Sequence, residues 1–387
     1  MRNHRLPAIA CAVMMLCSLS AAEVLVDDSG VRTTLGGPGA PKHVIGLQRH
    51  LQTIALNTGV KTYGVSYTVA TDPERPGVAI PGEGYIGMPR PVSCNWYAGG
   101  FFDLQLNGET IGTTPVSSLT GYGSGDRGTA DFVFDTPVSL VRIRFVALDG
   151  GDCLYAQVLL EPKQEITSAR VLTRCYPSAF VSNSERHVLT PTRDLVQGER
   201  AELDLANEWW TLYYDRVYDA GFAGPTYRGV GSCGMLWLPE QTQSTGFTVG
   251  SYGTETAFTL DPARREFRFI FFDYTGTSNA DAQADLQTRG AVLLEELSGF
   301  SFTDPTLAAW PLAEKRAEIE QVLASMPEEQ DAAAQYERWG KELEAQLGLL
   351  RSERAGSIMA EAEAARIIGE WEQGLPELKL EALLSRI

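Results

Sequence analysis

Residues 129–145 read TADFVFDTPVSLVRIRF, and residues 256–271 read TAFTLDPARREFRFIF. In each, two runs of alternating apolar and polar residues flank a short Asp/Pro turn. That is the pattern of β-strands with one face in a core. Asp135 stands seven residues before Arg142, and Asp261 stands seven before Arg268. Each stretch then meets an acidic turn, Asp149-Gly150-Gly151-Asp152 in one and Asp273-Tyr274-Thr275-Gly276 in the other. A similar apolar run follows each, residues 156–160 and 291–294. Two copies of one β-sandwich in tandem account for the echo.

The rest of the chain to about residue 305 has the same style. Short apolar runs are separated by Gly, Pro and Asn, as at Asp72-Pro73, Pro81-Gly82 and Gly121 to Gly128. Asn107-Gly108 after the alternating residues 101–106 is a hairpin signal. In residues 141–145 both Arg142 and Arg144 fall on the outward face. A short helix is expected within residues 279–288, ahead of a last strand at 291–294. From Pro311 the composition turns to Ala, Glu, Leu and Arg. Apolar residues such as Tyr336, Trp339, Leu343 and Leu347 recur at helical spacing. Helices are expected at 312–326, 328–350 and 353–373, with breaks at Pro327, near Gly356 and at Gly374-Leu375-Pro376. The fold class is thus mainly β: two tandem, jelly-roll-like β-sandwich domains, residues 23–163 and 164–305, then an acidic α-helical hairpin tail, residues 306–387. The tail offers a coiled-coil surface for another protein or for self-association.

Residues 1–22 have the form of a signal peptide. Arg2 and Arg5 precede an apolar run, and Ser20-Ala21-Ala22 offers a cleavage site before Glu23. The run is shorter than the roughly 20 residues of a spanning helix. The expectation is an exported, periplasmic or extracellular protein with no membrane span after cleavage. The net charge of -17 over 387 residues argues against nucleic acid and anionic membrane surfaces, which repel such a chain. Cys11 and Cys17 leave with the signal. An even set remains, Cys94, Cys153, Cys175 and Cys233, which in an exported chain predicts disulfides. Cys94 with Cys153 and Cys175 with Cys233 keeps each bridge inside one sandwich.

The candidate ligand surface is residues 207–239, NEWWTLYYDRVYDAGFAGPTYRGVGSCGMLWLP. Trp209, Tyr213 and Val217 share one face of a strand, and Trp210, Leu212, Tyr214 and Tyr218 share the other. The expectation is that one face packs while the other presents rings and polar tips to a sugar. The binding candidates are Trp209, Trp210, Tyr214, Asp215, Tyr218, Tyr227 and Arg228. The alternative is a strand buried on both faces. Glu208, Asp215, Asp219 and Glu240 supply carboxylates for a glycoside hydrolase. Tyr214, Tyr218, His187 and Arg228 are the groups a lyase would need.

Other motifs carry less. Gly229-Val230-Gly231-Ser232-Cys233-Gly234 matches G-x-G-x-x-G, but residues 235–239 after it read as strand, so a dinucleotide site is rejected. His43 and His50 lie seven apart, and no histidine pair has metal-ligand spacing, so no zinc site is expected. No cofactor is expected, apart from Ca2+ as a possible guest between Asp149 and Asp152.

The stretch VRIRFVALDGGDCLYAQVLLEP, residues 141–162, resembles the closing strands of secreted galactose-binding-like and NPCBM-type carbohydrate modules. The resemblance covers residues 129–162. It implies a β-sandwich with a glycan as ligand. The His and Trp usual after the acidic turn are replaced here by Leu154 and Tyr155, which removes the ligand site the resemblance would imply. Together these readings predict an exported, non-catalytic carbohydrate-recognition or accessory protein. The alternatives are a polysaccharide-active glycoside hydrolase or lyase, and a structural envelope protein assembled through its tail.

Overall fold

The computed structural model describes residues 24–36, 45–75, 79–80, 83–177, 184–219, 231–326, 330–351 and 357–384. Two antiparallel sheets carry the fold. Strands are numbered along the chain. In the first sheet the order is β1 (Leu25–Asp28), β3 (Gln48–Asn57), β4 (Thr62–Thr71), β5 (Tyr85–Arg90), β6 (Phe102–Leu106), β12 (Ala169–Cys175), β19 (Thr254–Leu260), β18 (Thr242–Val249) and β15 (Arg200–Glu202). β2 (Arg32–Leu35) pairs with β3, and β7 (Glu109–Thr110) pairs with β6. The second sheet runs β14 (Asp194–Val196), β13 (Arg186–Leu189), β16 (Trp210–Asp215), β17 (Cys233–Trp237), β20 (Glu266–Asp273), β11 (Cys153–Pro162), β10 (Ser139–Leu148), β9 (Arg127–Asp135) and β8 (Ser118–Ser124).

This corrects the expectation of two tandem sandwiches. Both halves of the chain supply strands to both sheets, and the halves join edge to edge. β6 pairs with β12 in one sheet, with Leu104 opposite Val171. β11 pairs with β20 in the other, with Val158 opposite Phe267. Separate sandwiches would leave those four edges with unpaired backbone groups, and joining them removes the edges. A single apolar core then runs between the sheets. It holds Tyr67 against Phe134 (ring centroids 5.7 Å apart) and Trp96 against Phe271 (5.1 Å). The repeat seen in sequence does not survive as topology. β9 and β10 form a hairpin within one sheet, whereas β19 and β20 lie in different sheets. The Asn107-Gly108 turn does form the expected hairpin between β6 and β7, with both residues at positive φ (51° and 85°).

Residues 291–294 are helical, not a strand. They lie in α1 (Asn279–Gly299), whose start is capped by Ser278 accepting from the Asp281 amide. Ala282, Leu286, Gly290, Leu293 and Leu297 recur at helical spacing and pack on the outer face of the second sheet, against Trp210, Leu236, Ile270 and Phe272. A four-residue apolar run cannot distinguish strand from helix, and here the longer period decides.

The tail comprises α2 (Pro305–Ala308), α3 (Leu312–Leu323), α4 (Gln330–Arg351) and α5 (Ser357–Leu384). Its own core gathers Ile319, Tyr336, Trp339, Leu343, Leu347, Ile367 and Trp371. The expected break at residues 374–376 is absent, because α5 continues through Pro376. Leu375 and Leu378 are buried in the same core as Trp371, and that packing overrides the local cost of proline. The expected break near Gly356 lies outside the described residues. The tail docks on the sandwich through Glu361 of α5, which accepts from Arg142 and, at 2.8 Å, from Arg144 Nη1. Arg144 also donates through Nε to Asp131 at 2.7 Å. Both arginines therefore leave the sandwich core as expected, yet they are 3% and 2% exposed beneath α5. Burial alone would raise the Glu361 pKa, but Arg144 and Arg142 hold it below its ordinary value.

Candidate functional site

The aromatic stretch is placed first by its neighbours. Trp210 and Leu212 face outward from β16 into the apolar layer under α1, while Tyr213 faces the sandwich core. The strand is thus buried on both faces, and Trp210 is 3% exposed. Trp209, half-buried, lies against Gly290 of α1, where an added Cβ would come within 3.3 Å of its ring. The Tyr214 ring stacks on His187 with centroids 4.9 Å apart, and its hydroxyl donates to Asp194 Oδ2 at 2.9 Å. Asp215 is buried and its Oδ1 accepts from the amides of Val217 (2.9 Å) and Tyr218 (3.1 Å). Asp219 Oδ1 accepts from the Asn279 amide at the start of α1 (2.8 Å). Among the described residues, these side chains seat α1 and close turns. Tyr227 and Arg228 lie outside the described residues, as does His43.

Glu208, a sequence candidate for acid chemistry, is a structural clasp. It accepts from Thr190 Oγ1 (2.5 Å), Thr192 Oγ1 (2.7 Å), Arg193 Nε (2.8 Å) and the Asp204 amide (2.8 Å). Burial alone would raise its pKa, but the bonds from Arg193, Thr190 and Thr192 outweigh that and bring it down to about 2. Glu240 is exposed on a short 3-10 turn. Asp152 pairs with Arg289 of α1 at 2.7 Å. Among the described residues no group of His, Cys, Asp or Glu is arranged to hold a metal ion.

The expected disulfides are absent: Cys94, Cys153, Cys175 and Cys233 are all buried and carry no bridge. Cys153 belongs to the layer under α1, on the outer side of the second sheet. Cys94 sits on the inner side with Cys233 and Cys175. The sheet itself separates the first expected pair.

A different cleft opens in the first sheet and reaches Phe134 and Ile143 of the second. β5 and β6 are joined at a single residue pair, Ile86 opposite Phe102, which leaves a gap between the strands. Residues 99–100 cross that gap, and Gly100 takes φ +121°, a conformation that disfavours a side chain. The result is a cleft of about 270 Å³ whose lining includes Tyr85, Asp103, Thr110, Leu172, Arg174 and Glu255. Strand register sets its polar wall. Leu172 stands opposite Asp103, and Arg174 stands opposite Glu255, all on outward positions. Arg174 Nε donates to Glu255 Oε1 at 2.8 Å. Asp103 Oδ2 accepts from Gln105 Nε2 at 3.1 Å and Thr110 Oγ1 at 3.4 Å. Burial pushes the Asp103 carboxyl up, and those two bonds offset part of the rise.

Tyr85 lines the cleft, and three further tyrosines cluster near its Arg174 end. Tyr85 accepts a hydrogen bond from Arg49 Nη2 at 2.8 Å. Tyr97 and Tyr176 meet edge to face at 4.6 Å, and Tyr176 meets Tyr252 the same way at 4.8 Å. Burial raises the Tyr97 phenol, with Tyr252 and Tyr85 adding to the rise and Arg174 opposing it, so these groups share one neighbourhood. Tyr252 is 63% exposed. Glycines make the close packing possible. A Cβ on Gly99 would lie 2.6 Å from the Tyr97 ring, and one on Gly253 would run into Tyr176.

Sequence reading missed this site because its members come from separate segments, residues 84–113, 172–176 and 252–255. A faint signal exists: Gly84-Tyr85, Tyr97-Ala98-Gly99-Gly100 and Tyr252-Gly253 each set a tyrosine within two residues of a glycine. Chemically, the cleft lining offers the Tyr85 ring, the carboxyl groups of Asp103 and Glu255 and the Arg174 guanidinium.

No protein-family model matches the chain, and no curated protein matches it in sequence. Several solved glycoside hydrolases share part of its trace. The GH36 α-galactosidase AgaB from Geobacillus stearothermophilus matches 57% of this chain and 40% of its own, at 12% identity and a TM-score of 0.32. The galactosidase domain of the α-galactosidase-sucrose kinase AgaSK matches 57% of this chain and 40% of its own, at 9% identity and a TM-score of 0.35. The α-galactosidase from Lactobacillus brevis matches 59% of this chain and 38% of its own, at 8% identity and a TM-score of 0.31. The chain thus spans about 40% of the length of the first two enzymes. The likeness is partial in extent and low in score.

Proposed function

We propose that this protein is an exported carbohydrate-recognition protein that binds glycan without cleaving it, at the cleft in the first sheet lined by Tyr85, Asp103, Arg174 and Glu255. The observation that carries the reading is a cleft lined by Tyr85, Asp103, Arg174 and Glu255, with Tyr97, Tyr176 and Tyr252 clustered beside Arg174. Tyrosine rings stack on the apolar faces of sugars, and carboxylate and guanidinium groups bond the hydroxyls. The pairing of Arg174 with Glu255 keeps the polar wall near neutral, which suits uncharged sugars in a chain of net charge -17. Export rests on the N-terminal signal pattern.

A glycan array with mature protein beginning at Glu23 tests binding. Tyr252→Ala then tests the site. Its ring is largely exposed, so the variant keeps the melting temperature and weakens binding about two- to tenfold, the value of one ring contact of about 0.5–1.5 kcal/mol. An array with no positive glycan, or unchanged affinity in Tyr252→Ala, overturns the proposal.

The raised carboxyl of Asp103, in the same cleft as Glu255, supports a second reading, a glycoside hydrolase with Asp103 as the acid. Release of reducing ends from a bound polysaccharide, lost in Asp103→Asn while binding persists, favours that reading over recognition alone.

A further inference from the structure

We propose that the groove between β8 and α5 is a second binding site, for an uncharged mono- or disaccharide. The groove has a volume of about 380 Å³ and lies between the outer face of the second sheet and the tail, within the size range of small-molecule sites. Its floor follows from strand alternation. Leu119 points into the sandwich core, so Ser118, Thr120 and Tyr122 point the other way and line the groove, about 7 Å apart along β8. Register continues the floor across the sheet. Asp131 stands opposite Thr120 and Arg144, and Val133 stands opposite Ser118 and Arg142. α5 forms the roof, where the short side chains of Ala362 and Ala365 leave the space open. The start of α5 is fixed in place. The Ile358 amide donates to Glu161 Oε1 at 2.9 Å, and the Asp304 amide donates to Glu361 Oε1 at 3.2 Å. The groove therefore exists before a ligand arrives, which lowers the ordering cost of binding. It shares no lining residue with the first-sheet cleft, so neither site depends on the other.

The charges in the lining decide the charge of the ligand. Arg144 is paired with Asp131 and Glu361. Arg142 donates to Glu361 and, at 3.0 Å, to Gln157 Oε1. Asp304 caps α2, its Oδ1 accepting from the Thr306 amide at 2.8 Å. An anion would meet no guanidinium that lacks a carboxylate, and a cation would meet both arginines, so a charged ligand loses its water without an unpaired counter-charge to replace it. One donor is open. Arg142 is 3% exposed and, among the described residues, its Nε has no hydrogen-bond partner. A buried N–H in that state is unfavourable, and a ligand oxygen relieves it. Ser118 and Thr120 are exposed and Tyr122 is half-buried, and a hydroxyl both donates and accepts. Burial pushes the Tyr122 phenol up, with Arg144 opposing and Asp131 adding, so it stays a neutral hydroxyl among the same charges. Apolar surface lies between these groups, from the Tyr122 ring, Val133, Leu307 and Ile358. An uncharged sugar carries hydroxyls at its ring edge and C–H groups on its ring faces, which matches this alternation.

Saturation-transfer NMR on the full chain from Glu23 tests the groove. The probes are glucose, galactose, N-acetylglucosamine, lactose and maltose, with galacturonate and citrate as charged counterparts. Tyr252→Ala serves as the background, because it weakens the first-sheet cleft and leaves this groove intact. The expected result is transfer to an uncharged probe and none to the charged pair. Adding Ala365→Phe, at an exposed position of α5, fills the groove and abolishes the transfer with the melting temperature kept. Adding Thr120→Val instead keeps the shape, removes one hydroxyl and weakens affinity about two- to tenfold. If Ala365→Phe does not fold, Thr120→Val decides. No transfer to any uncharged probe, equal transfer to the charged pair, or transfer unchanged by both substitutions overturns the proposal. Transfer present in the unsubstituted chain but lost in Tyr252→Ala alone also overturns it, and leaves the first-sheet cleft as the sugar site.

Discussion

Glu208 shows how far a residue's type is from its role. It sits at the head of the aromatic stretch and reads as a catalytic carboxylate. The fold instead turns it inward onto Thr190, Thr192, Arg193 and the Asp204 amide. Replacing it by Gln leaves the shape but removes the charge from bonds that need it, and a bond to a charged group is worth about 1.5–3 kcal/mol. Glu208→Gln is expected to lower unfolding free energy by about 2 kcal/mol at neutral pH in urea titrations. The pH dependence has a definite sign. The folded pKa, about 2, lies below the ordinary glutamate value of about 4.3. The clasp therefore stabilises fully above about pH 4.3, and its contribution is lost as pH falls from there toward about 2. Wild type and variant should converge in stability across that window. A gap that stays constant down to acid pH would show that the charge of Glu208 is not what stabilises.

At the scale of elements, α1 depends on a single missing side chain. Gly290 lies against Trp209 and Trp210, with no room beyond 3.3–3.4 Å for a Cβ. Gly290→Leu would force the helix off both indoles, and overpacking of this kind costs about 1–3 kcal/mol. The expected readout is a lower melting temperature with a red shift in tryptophan emission. An unchanged spectrum would place the helix farther from the strand. In α5 the continuous path through Pro376 carries the opposite expectation. Proline inside a helix costs about 3 kcal/mol relative to alanine, so Pro376→Ala should stabilise the tail and raise its helical signal on heating. No effect would mean that the helix breaks at residues 374–376, as the local sequence suggests.

At the scale of the molecule, the sandwich and the tail keep separate apolar cores, and the Glu361 contact with Arg142 and Arg144 joins them. Truncation after Asp304 keeps Phe300 and Phe302, which pack under α1, and removes Glu361. The two arginines then meet water instead of an unpaired burial. The β signal should persist in circular dichroism while helical signal falls, with a modest loss in melting temperature. Glu361→Leu in the intact chain is the harsher change, because it leaves arginine charge buried beside an apolar group, at about 3–5 kcal/mol. If truncation proves more damaging than Glu361→Leu, the tail supports the sandwich by more than this contact.

The sequence by itself determined what is local. Alternation marked β10 and β20, Asn107-Gly108 marked the β6–β7 turn, and the change of period after Pro311 marked the helices and core positions Tyr336, Trp339, Leu343 and Leu347. These signals arise from the two and 3.6 residue repeats of the backbone, which neighbours in the chain suffice to write. Only the tertiary structure decided which edges meet. Whether β6 ends one sandwich or pairs with β12 depends on backbone groups that every residue carries alike, so no side-chain pattern announces it. The same pairing decided which face of β16 is covered by α1. It also brought Asp103, Arg174 and Glu255 onto neighbouring strands, forming a cleft with Tyr85.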